Sequence, residues 1–518
     1  MQRFHGNNMS DTQQRLVIVS NRLPITISTD ANGDQHLRPA AGGLVTAMVP
    51  VLRDRGGVWI GWTGSTEEVD LETVEGHSPA EAGYRLVSVP LSDDEVDGYY
   101  YGFSNEILWP LFHDFATRCN FQPEYWTHYQ AVNRKFADVI AQNINRDDFL
   151  WVQDYHLLLV AHELRERGFS PNIGFFLHIP FPSLDVFLRL PWRFEILQGM
   201  LAYDLVGLQT MRDRRNFLQC VRLLMPGAVV RGKGQVQTVR YRDREVRVGA
   251  FPISIDFQEF AAQAASEEVA QSAWYIHEDL PNRKIVLGVD RLDYTKGIPE
   301  RLLAFRELLR RYPETREQLT FVQTVVPSRA DVPEYAELKQ RIEILVSEIN
   351  GEFTRSGWVP IHYLYRNLRR AELLAYYRTA EIALITPLKD GMNLVAKEYC
   401  ACDHEGRGVL ILSEFAGASS QLHHGALLVN PHDIVGVAEA IHAATLMGEG
   451  ERRTRMRKLR VSIRRQDIYA WLDGFLRAAI AKDLSDFPQS SEYLPKLEER
   501  AVEGGVRSDD RRRRTDLV

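Results

Sequence analysis

Short runs of apolar residues recur along the chain, and the segments between them repeat apolar residues every three or four positions. The runs are continuous rather than alternating, which is typical of strands buried on both faces of a parallel sheet. The segments between them have helical periodicity, as in 296–311, where Leu302, Phe305 and Leu309 form one stripe. The pattern predicts strands at 16–20, 58–62, 85–91, 149–153, 173–178, 205–209, 246–251, 284–289, 319–326, 361–365, 382–387, 409–413 and 426–430.

Strands and helices alternate through both halves of the chain. This organisation predicts an α/β fold with two doubly wound, Rossmann-like domains and a ligand site in the cleft between them. The domains are expected at 15–255 and 256–465, because a proline follows the last predicted strand of the first half and a helical run begins after it. A final amphipathic helix is predicted within 466–485. The polar ends, 1–14 and 486–518, are expected to be disordered or flexible.

The composition is that of a globular protein, with 45% apolar and 25% charged residues. A net charge of −7 argues against a general nucleic-acid binder, which needs a basic excess. The 4 cysteines do not indicate a disulfide scaffold, and no second pair at zinc spacing accompanies Cys400 and Cys402. The N-terminal segment is not a secretory signal, and no stretch is apolar enough to span a bilayer. A soluble, cytoplasmic protein is predicted.

Polar residues directly after a strand are site candidates, because folds of this class bind ligands at the carboxyl ends of their strands. Asp154 and Tyr155 follow one predicted strand, and His178 ends the next. Two other interpretations are open: Asp154 caps the helix that follows it, and His178 is a hydrogen-bonded structural histidine.

Three further candidates lie near the N-terminus. Arg22 follows the first strand, and Gly42 and Gly43 precede a helical run. Two glycines let the backbone approach a bulky ligand, and a helix N-terminus favours phosphate. A plain turn is the alternative interpretation of the glycine pair.

In the second half, two cations lie on the loop that leaves a buried strand. Arg291 and Lys296 suit a diphosphate group, whereas surface ion pairing with Asp290 and Asp293 is the alternative.

A second loop leads from the strand at 382–387 into a helix. Asp390 is expected to be the N-cap of this helix, which points its N-terminus at the cleft. Glu398 lies two turns further on among apolar residues, and a buried carboxylate there needs a partner such as sugar hydroxyls.

These positions fall within longer motifs that occur in a fixed order: SNR, AGGL, FSN-x-x-LWP, WVQDYHL, FFLHIPFP, RLDYTKG, VPSR and KDGMNLVAKEY. Over about residues 15–482 the chain resembles the trehalose-6-phosphate synthases, which are retaining glycosyltransferases of family 20 with the two-domain GT-B fold. The resemblance implies transfer of glucose from a nucleotide diphosphate glucose, commonly UDP-glucose, to glucose 6-phosphate, giving α,α-trehalose 6-phosphate. It also implies that the final helix crosses back to the first domain.

The resemblance assigns a role to each candidate. Arg291, Lys296, Asp390 and His178 are expected to be catalytic, with the two cations on the donor diphosphate. The donor-binding set, in which Glu398 contacts the ribose, is Gly42, Gly43, His178, Arg291, Lys296, Asp390, Gly391, Met392, Asn393, Leu394, Val395 and Glu398. The acceptor-binding set is Arg22, Tyr100, Trp109, Asp154, Tyr155 and Arg329.

The chain departs from some members of the family in three features. Gln153 stands where many have His, Lys389 stands where many have Arg, and a downstream phosphatase domain is missing. Release of free trehalose is therefore expected to need a separate phosphatase.

A retaining transfer proceeds either through a covalent glycosyl-enzyme or by departure and attack on the same face of the sugar. Same-face substitution is favoured, because the site carboxylates already have binding roles. No metal or other cofactor is expected, since two cations can neutralise the diphosphate. Two rival functions are a glucosylglycerol-phosphate synthase-like enzyme that uses glycerol 3-phosphate and a non-catalytic regulatory homologue. A homo-oligomer is expected.

Overall fold

Two large sheets form the framework of the molecule, one from each half of the chain. The computed structural model describes residues 15–29, 35–39, 56–67, 83–328 and 333–481. It also describes a few separate positions, namely Val45, Met48, Val49, Leu52, Leu71, Phe487 and 492–495.

The first half of the chain supplies the first eleven strands. They are β1 (Leu16–Arg22), β2 (Ile25–Thr29), β3 (Gln35–Pro39), β4 (Gly57–Trp62), β5 (Arg85–Ser88), β6 (Phe149–Gln153), β7 (Asn172–Phe176), β8 (Leu205–Leu208), β9 (Val229–Arg231), β10 (Val236–Tyr241) and β11 (Arg244–Ala250). The nine-stranded sheet has the order β5-β4-β1-β6-β7-β8-β11-β10-β9, and β2 and β3 form a separate antiparallel pair. The sheet is parallel from β5 to β11 and antiparallel at its β10 and β9 edge.

Both faces of this sheet are buried, as the continuous apolar runs predict. In β1, Leu16 and Ile18 pack into one apolar cluster, whereas Val17 and Val19 pack into another. The first of these clusters extends into the second half of the chain and so joins the two halves.

The apolar runs did not predict β2, β3, β9 or β10. These strands are short or polar, and in β10 only Val236 and Val239 are buried. The predicted strand at 85–91 ends early, at Ser88. Pro90 lies just beyond this end and cannot donate a hydrogen bond to a neighbouring strand.

The second sheet is six-stranded and parallel throughout, in the order β14-β13-β12-β15-β16-β17. Its strands are β12 (Lys284–Arg291), β13 (Leu319–Val326), β14 (Ile361–Tyr365), β15 (Ile382–Ile385), β16 (Val409–Ser413) and β17 (Leu427–Val429). Together the two sheets confirm the predicted fold class. The last strand of the first sheet ends at Ala250, and the predicted domain boundary at 255 stays a prediction.

Helices connect the strands of both sheets. They are α1 (Asp93–Glu95), α2 (Trp109–Phe112), α3 (Pro123–Asn143), α4 (Val160–Glu166), α5 (Leu184–Phe187), α6 (Arg193–Met200), α7 (Met211–Leu224), α8 (Phe257–Ala264), α9 (Glu267–Asp279), α10 (Ile298–Arg311), α11 (Pro333–Phe353), α12 (Arg370–Thr379), α13 (Leu394–Cys402), α14 (Ser419–Leu422), α15 (Ile434–Leu446), α16 (Glu449–Arg465) and α17 (Ile468–Ile480). A π-helical segment, Val96–Leu108, joins α1 to α2. No helix in the described part of the chain is long and apolar enough to cross a membrane.

The last helix, α17, packs on the first sheet although it follows the second one in the chain. The ring of Phe475 stacks on that of Trp151 in β6 with 4.3 Å between centroids, and Trp471 lies 5.1 Å from the same ring. Gly174 and Gly207 leave the room for Phe475, because a Cβ atom at either position would lie within 2.9 Å of its ring. The helix therefore ties the end of the chain to its first half.

Candidate active site

A buried arginine of α10 holds the loop after β12 in place. Arg301 on α10 is 1% exposed, pairs with Asp290, and donates from Nη2 to the carbonyl oxygen of Lys296 at 3.2 Å. Its Nε donates to the Thr386 hydroxyl at the end of β15, at 3.0 Å. Arg301 thus fixes the ends of two neighbouring strands, from which the candidate donor-binding loops leave.

The loop turns sharply into α10 at Gly297, which has φ +64°. A Cβ atom there would lie 2.4 Å from the Thr386 carbonyl oxygen, so the close approach of the two loops requires glycine. Leu388 donates its N–H to the Thr295 carbonyl at 2.8 Å, which joins the loops directly.

Lys296 and Asp390 form the central ion pair of this side of the cleft. The Lys296 Nζ lies 2.7 Å from Asp390 Oδ2, with side chains 11% and 14% exposed. Burial alone would raise the pKa of Asp390, but the charge and hydrogen bond of Lys296 outweigh burial and lower it below the usual value. Asp390 is therefore ionised and Lys296 is fixed in place near the strand ends.

The helix that follows begins later than the sequence indicated, so the prediction of Asp390 as its N-cap was wrong. Asn393 is the N-cap of α13, with φ +80°, and its Oδ1 accepts the Ala396 N–H at 3.2 Å. Asp390 instead accepts from Asn393 Nδ2 at 3.1 Å and from Lys296. The Gly391-Met392 segment separates Asp390 from the helix because Gly391 lies against the first domain.

Arg291 ends β12 with an exposed side chain. It makes no ion pair or hydrogen bond with any described residue, and Asp290, its alternative partner, pairs with Arg301 instead. Glu398, two turns into α13, accepts a hydrogen bond from the Tyr377 hydroxyl at 2.9 Å, and burial raises the pKa of its carboxyl. Arg291, which has no ion-pair or hydrogen-bond partner among the described residues, and Glu398 are thus the other charged candidates on this side of the cleft.

Across the cleft, Asp154 lies at the end of β6 in a left-handed backbone conformation, with φ +72°. Its side chain does not cap the short turn that follows, and its Oδ1 accepts the His178 N–H at 3.1 Å. Burial raises the pKa of Asp154 to about 6, although backbone hydrogen bonds and the charge of Arg291 lower it. Strained backbone of this kind is concentrated at functional sites.

His178 meets the second domain through its backbone. A Cβ atom at Gly391 would lie 2.3 Å from the His178 carbonyl oxygen, so only glycine fits between the two loops. The ring nitrogen Nε2 lies 2.9 Å from Gln153 Oε1, and burial lowers the pKa of His178 to about 3. The imidazole is therefore neutral and donates to Gln153.

Aromatic rings line the remaining candidate acceptor residues. The Arg22 guanidinium lies 4.3 Å from the centre of the Trp62 ring and 5.6 Å from that of Tyr100. The Tyr155 hydroxyl donates to Asn105 Oδ1 at 3.1 Å, and Asn105 Nδ2 donates to the Tyr100 carbonyl at 2.7 Å.

Trp109 lies beside this group, with its ring 5.8 Å from that of Tyr155. The structure thus brings Arg22, Tyr100, Trp109 and Tyr155 together. Gly42, Gly43 and Arg329 lie outside the described residues.

Sequence reasoning missed the segment after α2, which touches the donor-side loops. The Lys389 Nζ pairs with Asp114 at 2.7 Å, and the Phe115 ring packs edge-on against Tyr294 at 5.2 Å. His113 is 2% exposed and donates from Nδ1 to the Trp109 carbonyl at 2.7 Å, and burial lowers its pKa to about 4. A polar His-Asp pair within the apolar LWPLFHDF stretch was the available signal.

A buried lysine of α13 links this helix to the two segments in which the chain passes from one domain to the other, one after β11 and one before α17. Lys397 on α13 is 1% exposed and donates to the Ile253 carbonyl and to Gln421 Oε1, each at 2.6 Å. Gln421 in turn donates to Gln466 at 2.6 Å, just before α17. Burial lowers the pKa of Lys397 to about 7.

The described residues hold no group of three His, Cys, Asp or Glu side chains arranged for a metal ion. Among the described residues, Arg22, Arg291 and Lys296 are cations at the strand ends that border the cleft. The expectation of metal-independent chemistry stays a prediction.

Comparisons with known proteins support the sequence resemblance. A family model described as glycosyltransferase family 20 matches residues 14–481. The trehalose-6-phosphate synthase of Mycolicibacterium vanbaalenii is 45% identical over 472 residues, which are 90% of this chain and 96% of that protein. The relative of the same name from Mycolicibacterium smegmatis is 44% identical over 470 residues, which are 90% of this chain and 92% of that protein.

Two solved structures are similar over the same region. The α,α-trehalose-phosphate synthase (UDP-forming) from Burkholderia xenovorans, in complex with glucose-6-phosphate, has a TM-score of 0.82 and 37% identity, covering 90% of this chain and 99% of that one. A structure described as trehalose-6-phosphate from E. coli bound with UDP-2-fluoro glucose has a TM-score of 0.81 and 38% identity, with the same coverage. The chain therefore belongs to glycosyltransferase family 20 and has the GT-B fold of the trehalose-6-phosphate synthases.

Proposed function

We propose that this protein transfers glucose, with retention of configuration, from UDP-glucose to glucose 6-phosphate and so produces α,α-trehalose 6-phosphate and UDP. The observation that carries the proposal is that strand ends of the first sheet and strand ends of the second sheet face each other across one cleft. Lys296, Asp390 and Arg291 lie on one side of the cleft, and Asp154 and Arg22 lie on the other.

The donor is proposed to bind against the second sheet. Arg291 and Lys296 supply the cations for its diphosphate, and the N-terminus of α13 adds a favourable dipole. Glu398 is oriented by Tyr377, which leaves its other oxygen for a ribose hydroxyl. Asp390, held by Lys296, together with the 391–395 segment, would bind the glucose.

The acceptor is proposed to bind against the first sheet. Arg22 makes no ion pair with a described residue, so its guanidinium is available to a phosphate. Asp154, Tyr155, Tyr100 and Trp109 surround the position of the sugar. Arg329 belongs to this proposal through the resemblance alone.

The transfer is proposed to occur on one face of the donor glucose. The bond from the anomeric carbon to the diphosphate oxygen breaks, and the acceptor oxygen bonds to that carbon from the same side. The acceptor proton passes to the departing diphosphate oxygen. Arg291 and Lys296 stabilise the charge that grows on this oxygen, which is the term expected to dominate the rate.

A covalent route needs a carboxylate below the anomeric carbon. Asp390 is committed to Lys296, Glu398 to Tyr377, and Asp154 to the His178 N–H. These commitments support the same-face route. Because the two cations can neutralise the diphosphate, activity is expected to survive exhaustive EDTA treatment.

The product carries a phosphate, so release of free trehalose is proposed to depend on a separate phosphatase. Both proposed substrates are charged and do not cross membranes unaided, which supports a cytoplasmic location.

The test is a matrix of initial rates with UDP-, ADP- and GDP-glucose against glucose 6-phosphate, glucose and glycerol 3-phosphate. We expect UDP-glucose and glucose 6-phosphate to give the highest kcat/KM, with an α,α linkage by NMR. Preferred use of glycerol 3-phosphate would support the glucosylglycerol-phosphate alternative. No transfer by a normally melting protein would support a regulatory homologue.

A further inference from the structure

A second basic cleft lies between α16, the start of α8 and the loop after α13, away from the strand ends of the catalytic cleft. Its volume is about 350 Å³. The lining includes four arginines of α16 and a histidine of the loop, namely Arg453, Arg457, Arg460, Arg464 and His404. Sites for small molecules typically have volumes of about 300–1,000 Å³.

The four arginines share one face of the helix, because they recur at intervals of three and four residues. Glu405 is the acidic residue of the lining, and it pairs with Arg407 outside the cleft at 2.9 Å. The whole chain carries a net charge of −7, so this cation cluster opposes the overall charge of the protein.

Arg460 forms the fixed part of the cleft. Its Nη1 donates to the carbonyl oxygens of Cys400, Ala401 and Asp403 at 2.8, 2.6 and 2.9 Å, which satisfies the C-terminus of α13. Its guanidinium also lies 5.1 Å from the centre of the Phe257 ring. The position of this cation is therefore set by the fold, before any ligand binds.

The neighbouring arginines keep their donors available. Arg457 and Arg464 are exposed and make no ion pair or hydrogen bond with a described residue. Arg453 pairs with Glu449, and both side chains are exposed. Surface pairs of this kind contribute about 0–1 kcal/mol, so Arg453 can exchange its partner for a ligand.

We propose that this cleft binds a phosphorylated small molecule, with its phosphate on Arg457 and Arg464 and its body against Val461, a lining residue that is 43% exposed. Guanidinium groups match phosphate oxygens in pairs, and several at one place select a dianion over a monoanion. The apolar side chain of Val461 favours an organic phosphate over inorganic phosphate. The inference is independent of the catalytic proposal, since it requires binding and no turnover.

The experiment is calorimetric titration of the full chain with glucose 6-phosphate, UMP and inorganic phosphate. The first variant is Arg457→Ala/Arg464→Ala. Its matched control is Arg465→Ala, an exposed arginine of the same helix outside the cleft. A second protein, Arg22→Ala/Arg291→Ala/Lys296→Ala, weakens phosphate binding on both the acceptor side and the donor side of the catalytic cleft.

We expect an organic phosphate to bind the Arg22→Ala/Arg291→Ala/Lys296→Ala protein more tightly than inorganic phosphate does. The Arg457→Ala/Arg464→Ala change, added to that protein, should weaken this binding about 10- to 100-fold. Arg465→Ala should leave it unchanged. Equal weakening by Arg465→Ala would show nonspecific attraction and overturn the proposal.

Unchanged binding in the Arg457→Ala/Arg464→Ala variant would equally overturn the proposal. If an RNA oligonucleotide binds in the same titration and neither organic phosphate does, the proposal is also overturned. A lack of catalytic turnover would contradict the proposed function and leave this binding test intact.

Discussion

The two sides of the catalytic cleft differ in the partners of their positively charged side chains. On the second-domain side, Lys296 and Asp390 neutralise each other at 2.7 Å. On the first-domain side, Arg22 lies against the faces of Trp62 and Tyr100 and makes no ion pair with a described residue. The central cation of the second-domain side is held by an internal salt bridge, whereas the cation of the first-domain side lies against aromatic rings.

This difference indicates how each side would contribute. A fixed cation costs no reorganisation when charge develops in the transition state, so the second-domain side suits catalysis. A guanidinium held on an aromatic surface suits recognition of an anionic group, because it can exchange its bound water for the ligand. Changes on the second-domain side should therefore lower kcat, whereas changes on the first-domain side should lower the preference for a phosphorylated acceptor.

The largest effect is expected from the cations of the second domain. Lys296→Ala or Arg291→Ala should lower kcat by about 10²–10³, because either change removes a donor to the leaving diphosphate. The control is Arg283→Ala, at the opposite end of β12. Steady-state rates and melting curves provide the measurement, and more than a tenth of the wild-type rate in a normally melting variant would contradict the role.

A smaller effect, restricted to the acceptor, is expected from Arg22→Ala. Loss of one charge-assisted bond of about 1.5–3 kcal/mol should lower kcat/KM for glucose 6-phosphate about 10- to 100-fold. The KM for UDP-glucose and the rate with glucose should change little. Arg85→Ala on β5 is the control, and an equal loss with both acceptors would show that Arg22 does not read the phosphate.

The buried carboxyl of Asp154 should make stability depend on pH. Its pKa of about 6 in the folded protein lies above the unfolded value, so the folded state binds the proton more tightly. Relative to Asp154→Asn, the wild type should therefore lose stability as pH rises from about 4 to 6, by on the order of 2 kcal/mol.

Urea unfolding of wild type and Asp154→Asn across this pH range measures the difference. Asp94→Asn, which alters an exposed carboxylate, is the control and should give no such trend. A constant difference between wild type and Asp154→Asn would place the pKa of Asp154 at its ordinary value.

The smallest effect concerns the contact between the two sides. Asp114→Ala removes the partly exposed pair with Lys389, which contributes at most about 1 kcal/mol. The KM for the donor should rise by up to about fivefold while the acceptor preference stays constant. Glu348→Ala, which removes a surface pair with Arg306, is the control. A larger change in acceptor preference than in donor KM would contradict this assignment.

Continuous apolar runs predicted the strands well, because burial on both faces selects such runs. The strands at 149–153, 319–326, 361–365 and 409–413 have the predicted bounds. The strands β9 and β10 were missed because they carry polar and exposed residues, with only Val236 and Val239 buried. Pairing between β9 and β10 is a long-range property that no local run encodes.

Site residues that directly follow a strand could be predicted from the sequence. Residues whose role depends on tertiary packing could not. Lys296 and Asp390 follow strands, whereas Arg301 and Lys397 lie within helices whose patterns look ordinary. Their significance comes from burial, which brings Arg301 to two strand ends and Lys397 to the Ile253 carbonyl. The start of α13 is set by the close approach of Gly391 to His178, which explains why Asp390 is not the N-cap of this helix.

The position of α17 has a consequence for synthesis of the protein. Phe475 and Trp471 cover the face of the first sheet that carries Trp151, yet they lie on α17, which is made only after all strands of both sheets. The first sheet of a nascent chain therefore exposes an aromatic surface until α17 has been made. Because exposed apolar surface favours aggregation, this uncovered surface is an aggregation risk until α17 packs on it.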